Sequence, residues 1–288
     1  MSIRNLIILS QLTPPGERSK ILQRERVNDR LRLSLNFPLT IIEAGTGYGK
    51  STAVLAFLRA QALPAYWFTV SGTDRDPKLF LAKLFSAFNQ RKQAIGDDAL
   101  RILDMDDATP QEAMIALVNA ISTQIHEETL FILDDFHSVC DIPEIITQVN
   151  WMIENIPSHL HIIIASRRSV EFPSLNKWRV KGSILEIDKE DLAFSDEEIQ
   201  KLFDQQYGIK LSASAVEHLL TKTEGWAIVL QMVWQTLQRN PGLSIQEVLE
   251  ENRQSKIALF DYLADEVLGG LEPTTQAFLL KTSILSKM

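Results

Sequence analysis

Leu39-Thr40-Ile41-Ile42 runs directly into Glu43-Ala44-Gly45-Thr46-Gly47-Tyr48-Gly49-Lys50-Ser51-Thr52, and a long apolar helical pattern follows. A β-branched run, a glycine-rich turn and a helix start, in that order, build a place for a phosphate chain. Such a chain needs converging backbone N–H groups, the partial positive charge of a helix N-terminus, one flexible cation and a hydroxyl for Mg2+. Gly45, Gly47 and Gly49 let the backbone curl, Lys50 brings the cation and Ser51 the hydroxyl. The first position of the general pattern, ordinarily glycine, is Ala44 here.

The second informative stretch is Thr129-Leu130-Phe131-Ile132-Leu133-Asp134-Asp135-Phe136-His137. A continuous apolar run without alternation predicts a strand buried on both faces, as in a parallel sheet covered by helices. Acids at its C-terminal end fall where doubly wound sheets bind ligands. There Asp134 can hold Mg2+ and Asp135 can polarise an attacking water. A third run, 160–165, ends in Ser166-Arg167-Arg168 and predicts an arginine facing the same crevice, suited to reading a γ-phosphate. Chemistry alone does not choose between Arg167 and Arg168.

Around these stretches strands and helices alternate. The sequence predicts helices over 21–35, 52–63, 77–85, 113–125 and 143–155, and further strands over 65–70 and 183–187. That alternation predicts a mostly parallel three-layer α/β fold. Residues 1–19 contain Thr13-Pro14-Pro15-Gly16 and read as a turn-rich lead-in outside the core, and residues 93–108 as an exposed acidic loop. After Asp188 the texture changes to capped helices: Ser195-Asp196-Glu197-Glu198 and Ser244-Ile245-Gln246-Glu247 are capping boxes, and Gly225-Trp226-Ala227 opens a strongly apolar helix. Two more amphipathic helices are expected over 257–268 and 273–285.

The 288 residues carry a net charge of -8 and 45% apolar residues, which supports ordinary folded cores and argues against a basic nucleic-acid surface at domain scale. The single cysteine, Cys140, offers no intrachain disulfide, and Leu6-Ile7-Ile8-Leu9 is too short for a signal core or a membrane span, so a cytoplasmic protein is expected.

Taken together in their order, 45–52, Leu133-Asp134-Asp135-Phe136-His137, Ser166-Arg167, Leu192-Ala193-Phe194, Gly225-Trp226-Ala227, 261–268 and 278–285 resemble the nucleotide-binding core of STAND ATPases. Within them the chain looks like the MalT-like, large ATP-binding regulators of the LuxR type. The resemblance implies a five-stranded ASCE-type P-loop domain over 20–188, a helical-bundle subdomain over 189–256 and the truncated start of a winged-helix subdomain over 257–288. It implies that Gly45, Thr46, Gly47, Tyr48, Gly49, Lys50, Ser51 and Thr52 cradle ATP or ADP. Ser51 and Asp134 would hold Mg2+, Asp135 would be the acidic catalytic partner, with Lys50 and Arg167 acting on the phosphates. Arg24 and Arg26 match the motif near base and ribose. Trp226 stands in the motif where many members touch the nucleotide, with Ala227 in place of proline.

By the same resemblance ADP holds a closed monomer, while ATP and an inducer favour an oligomerising form. DNA, inducer and regulatory partner would be met through C-terminal regions absent from this chain, and no membrane is implied. The alternatives are an AAA+-like ATPase that turns over continuously and a non-catalytic scaffold.

Overall fold

β1 (Leu39–Glu43), β2 (Ala65–Thr69), β3 (Thr129–Asp134), β4 (Leu160–Ser166) and β5 (Ile184–Ile187) form one sheet in the order β2-β3-β4-β1-β5, every pairing parallel. The computed structural model describes residues 6–16, 21–91, 94–105, 107–240, 242–251, 274, 275 and 277. The unalternating apolar runs have the consequence expected of them: every residue of β3 and β4 is buried. β4 is inserted between β1 and β3, so the loop after β1, the acids after β3 and the arginines after β4 all leave one edge of the sheet side by side.

The described residues divide into two compact units, one built by residues up to Gly45 and by Gly49–Leu192, the other by Thr46–Tyr48 and the residues from Ala193 on. In the first unit α1 (Glu25–Arg32), α2 (Lys50–Gln61), α3 (Pro77–Ala87), α4 (Asp97–Leu103), α5 (Pro110–Gln124), α6 (Pro143–Asn155), α7 (Leu175–Lys181) and α8 (Lys189–Leu192) accompany the sheet. Local chemistry sets several starts. Asp76 caps α3 by accepting from Leu79 N–H at 2.8 Å, with Pro77 at the first helical position, and Thr109 and Glu112 close a reciprocal box at α5.

One aliphatic and aromatic cluster lies between the sheet and its helices, with Phe68, Phe80, Phe85, Phe88 and Phe131 among its fully buried members, and Val54, Phe57, Trp67, Ile132 and Ile163 are buried outside it. Two expectations fail here. Residues 93–108 are not an exposed loop, because α4 forms within them. Ala99, Leu100 and Leu103 lie on one face of α4 and are buried, as is Ile95 just before it, while Asp97 and Asp98 occupy the first turn, where acids favour the dipole. Nor is the N-terminal stretch outside the core: a 3-10 turn at Leu9–Leu12 packs on β2, Leu12 is 1% exposed, and Gln11 bonds both Ser71 and Lys83. The strand it packs on, β2, is an edge of the sheet. The helix expected over 21–35 is shorter, α1 followed by a 3-10 turn at Leu33–Asn36.

The regular elements of the second unit, among the described residues, are all helical: α9 (Asp196–Lys201) continuing into a π turn at Leu202–Gln206, α10 (Ala213–Thr223), α11 (Ala227–Arg239) and α12 (Ile245–Glu251). Ser195 with Glu198 boxes the start of α9, and Ser212 caps α10 through Ala215 N–H. The helices expected over 257–268 and 273–285 lie outside the described residues, apart from the helical Thr274, Thr275 and Ala277.

Candidate nucleotide site

α2 begins immediately after β1 and its turn. Gly49, at φ 84°, is the N-cap and supplies no side chain, so the first-turn amides of α2 have no side-chain cap of the kind seen at α3 and α5. An uncapped helix start at the end of a buried strand is suited to an anion. Lys50 is 7% exposed, and its ammonium donates to Ala44 O at 2.6 Å and Gly45 O at 3.2 Å. Burial lowers its pKa, with Arg167 adding to the effect and the carboxylates of Asp135 and Asp134 opposing it.

Asp134 ends β3 and is 2% exposed. Burial, reinforced by the neighbouring Asp135 carboxylate, pushes its pKa up to about 6, against hydrogen bonds from the Ser51 hydroxyl and from Asp135 N–H. The Ser51–Asp134 bond puts the hydroxyl and the acid of the sequence pattern together. Among the described residues no group of three His, Cys, Asp or Glu side chains could hold a metal. A magnesium ion would therefore take Ser51, Asp134, ligand oxygens and water, as this hard cation commonly does. The donors fit: a buried carboxylate whose ionisation is suppressed, already joined to a hydroxyl, gains most from a cation beside it.

Asp135 follows with a left-handed backbone, φ 54°, uncommon for a non-glycine residue. Its Oδ1 stands 3.8 Å from Arg167 Nε and 3.8 Å from His137 Nδ1. Burial pushes the His137 imidazole down to about 4, so it is neutral at pH 7, and its Nδ1 is buried without a hydrogen bond. The two arginines after β4 separate cleanly. Arg167 faces Asp135, whereas Arg168 donates through Nη2 to His137 O at 3.0 Å. The sequence reading gave no role to His137, although its place two residues past Asp135 was a signal.

Arg24 and Arg26 differ in exposure, the first buried and the second open to solvent. Arg24, the N-cap of α1, is 8% exposed and donates to Leu192 O at 2.8 Å; Arg26 donates to Asp191 O at 2.9 Å. Both thus bond backbone carbonyls of α8.

In the helical unit, residues 46–48 lie against the start of α11. Trp226 Nε1–H donates to Thr46 O at 2.9 Å, Ile228 N–H donates to Gly47 O at 3.1 Å, and the Tyr48 and Trp226 rings stack with centroids 5.7 Å apart.

No family model matches the chain. It is 27% identical over 278 residues to the HTH-type transcriptional regulator MalT of Vibrio cholerae, covering 96% of this chain and 30% of that protein. To MalT of Cronobacter sakazakii it is 26% identical over 290 residues, covering 98% and 31%. The chain therefore spans about 30% of the length of the curated relatives it matches. Among solved structures, a Walker-type ATPase of Pyrococcus abyssi superposes with a TM-score of 0.57 at 15% identity, covering 91% of this chain and 79% of that one. A STAND protein with a tetratricopeptide repeat sensor from Pyrococcus horikoshii gives 0.56 at 18% identity, covering 95% and 36%. The chain has the fold of these P-loop ATPases and resembles the MalT regulators along nearly its whole length.

Proposed function

We propose that this chain is the ATP- and ADP-binding switch module of an inducer-responsive transcription regulator. The observation that carries the reading is the Ser51 hydroxyl bonded to the buried Asp134 at the foot of the uncapped α2, with Lys50 folded into the preceding loop. In this reading residues 45–52 wrap the phosphates, and Lys50 leaves the carbonyls of Ala44 and Gly45 to pair with phosphate oxygens. Ser51 and Asp134 hold Mg2+, which would neutralise phosphate charge. Asp135 orients the attacking water, Arg167 responds to the γ-phosphate, and Arg24 and Arg26 serve the nucleoside end.

Slow hydrolysis would reset the switch rather than make product for its own sake. The domains are assigned as 20–188 for the nucleotide, 189–256 for the helical bundle and 257–288 for the start of a winged helix. The ATP state would self-associate, while inducer, regulatory partner and DNA would be read by other parts of a longer cytoplasmic protein. The likeness to MalT supports this reading, since those relatives are transcription regulators by name. No helix of the described residues is long and apolar enough to cross a membrane.

Calorimetric titration of the wild type and of Lys50→Ala with MgATP and MgADP tests the proposal. The wild type is expected to bind and the variant to lose binding. A wild type that binds neither nucleotide would support the scaffold reading instead. Denaturing the purified protein and identifying any released nucleotide then tells which state the chain prefers.

A further inference from the structure

Trp226 is the N-cap of α11, at φ -69° and ψ 115°, and its side chain makes no capping bond to the helix. The indole N–H goes to Thr46 O instead, at 2.9 Å. Ile228 N–H, one of the amides that a helix start leaves without an intrahelical acceptor, goes to Gly47 O at 3.1 Å. Tyr48 stacks on the Trp226 ring, the two planes 25° apart. Gly47 has φ +76°, and a Cβ there would lie 2.6 Å from Ile228 Cγ2, so only glycine lets the loop lie this close to α11. Two consecutive loop carbonyls are thus anchored on the first turn of one helix.

A peptide group is planar and trans, so its C=O and N–H point in opposite directions. The Thr46 carbonyl shares a plane with Gly47 N–H, and the Gly47 carbonyl with Tyr48 N–H. Since both carbonyls are turned to α11, both N–H groups are turned away from it.

We propose that the first turn of α11 is a positioning device for phosphate recognition. By holding the carbonyls of Thr46 and Gly47, Trp226 and Ile228 fix the direction of two amide donors, those of Gly47 and Tyr48, that grip a di- or triphosphate. Trp226 is then a positioning residue that acts through the loop backbone and does not read the base. The inference rests on the nucleotide reading above. The Ile228 amide is already used by the loop, so this helix start is not itself the anion site. Donors oriented in advance spare the ligand the cost of ordering them.

The test is Trp226→Phe, which keeps a ring for Tyr48 and deletes the N–H. The full chain and the variant are titrated with inorganic pyrophosphate and with MgADP. Both affinities are expected to fall by a similar factor, about three- to tenfold for one lost hydrogen bond. Loss of ADP affinity with pyrophosphate unchanged would mean a base contact, and no change in either would mean no role; each overturns the proposal. A wild type that binds neither probe overturns the nucleotide reading and this inference with it, an outcome distinct from both. If circular dichroism shows Trp226→Phe unfolded, Gly47→Ala serves in its place. It is expected to weaken pyrophosphate binding, and adding Ile228→Gly, which removes both side-chain atoms that the new Cβ would strike, restores part of it; no restoration overturns the proposal.

Discussion

Asp134 is where stability and ligand binding pull apart. A carboxyl whose pKa rises from 3.8 unfolded to about 6 folded binds more protons in the native state, so stability falls as pH rises between those values. Above pH 6 the ionised, buried group costs on the order of 1–3 kcal/mol. Asp134→Asn is therefore expected to raise Tm at pH 8, by several degrees, with a smaller gain at pH 5, while abolishing Mg2+-dependent nucleotide binding. Thermal scans at the two pH values check the first part and titration with and without Mg2+ the second. Asp135 should separate the same two properties differently. Asp135→Ala is expected to keep ATP binding and to slow single-turnover hydrolysis by roughly 10²-fold or more, with lost binding counting against its role. That Lys50, Ser51 and Asp134 would meet was legible, because the sequence pattern was read from what a phosphate and a cation would require. The choice between Arg167 and Arg168 was not, since both follow one strand and only the fold shows which meets Asp135 and which meets the His137 carbonyl.

Among the elements, the capped helices were the easiest to read and α4 the hardest. Thr109-Pro110-Gln111-Glu112 announces α5 by chemistry confined to four residues. α4 has only seven residues, and its acidic first turn disguised the buried face of Ala99, Leu100 and Leu103. The 3-10 turn over Leu9–Leu12 was illegible for a different reason: its partners, Ser71 and Lys83, are distant in sequence. That turn meets a fully buried ion pair between Lys83 and Asp74, whose carboxylate also accepts from Ser71 N–H at 2.8 Å. Lys83→Met leaves the Asp74 charge without its cation and is expected to destabilise the protein by about 3–5 kcal/mol, measured by urea unfolding. Lys83→Met combined with Asp74→Leu should recover much of that loss.

At the scale of the whole molecule, the strand order gathers the candidate site, because inserting β4 between β1 and β3 sets an arginine beside the acids. The alternation of strands and helices was readable up to Asp188, and the helical texture after it. The order of the strands was not readable from pattern, since parallel runs carry no signal of their neighbours; the family resemblance implied only that there would be five. A switch and a machine share this framework and differ in rate. Multiple-turnover assays without inducer are expected to give far less than about one ATP per second, below the range of ordinary enzymes, and sustained faster turnover would favour the AAA+-like alternative.

The division of the chain at Thr46–Tyr48 also bears on dissecting the protein. By their packing, the two units do not part at a single point of the sequence, because three residues in the middle of the glycine loop go with one unit while the residues on either side go with the other. A protease nick near residue 193 would spare every strand and every acid of the sheet, yet discard the indole and the helix start that grip the loop's tip. The smallest fragment that keeps the fold is thus expected to be smaller than the smallest that grips a phosphate well.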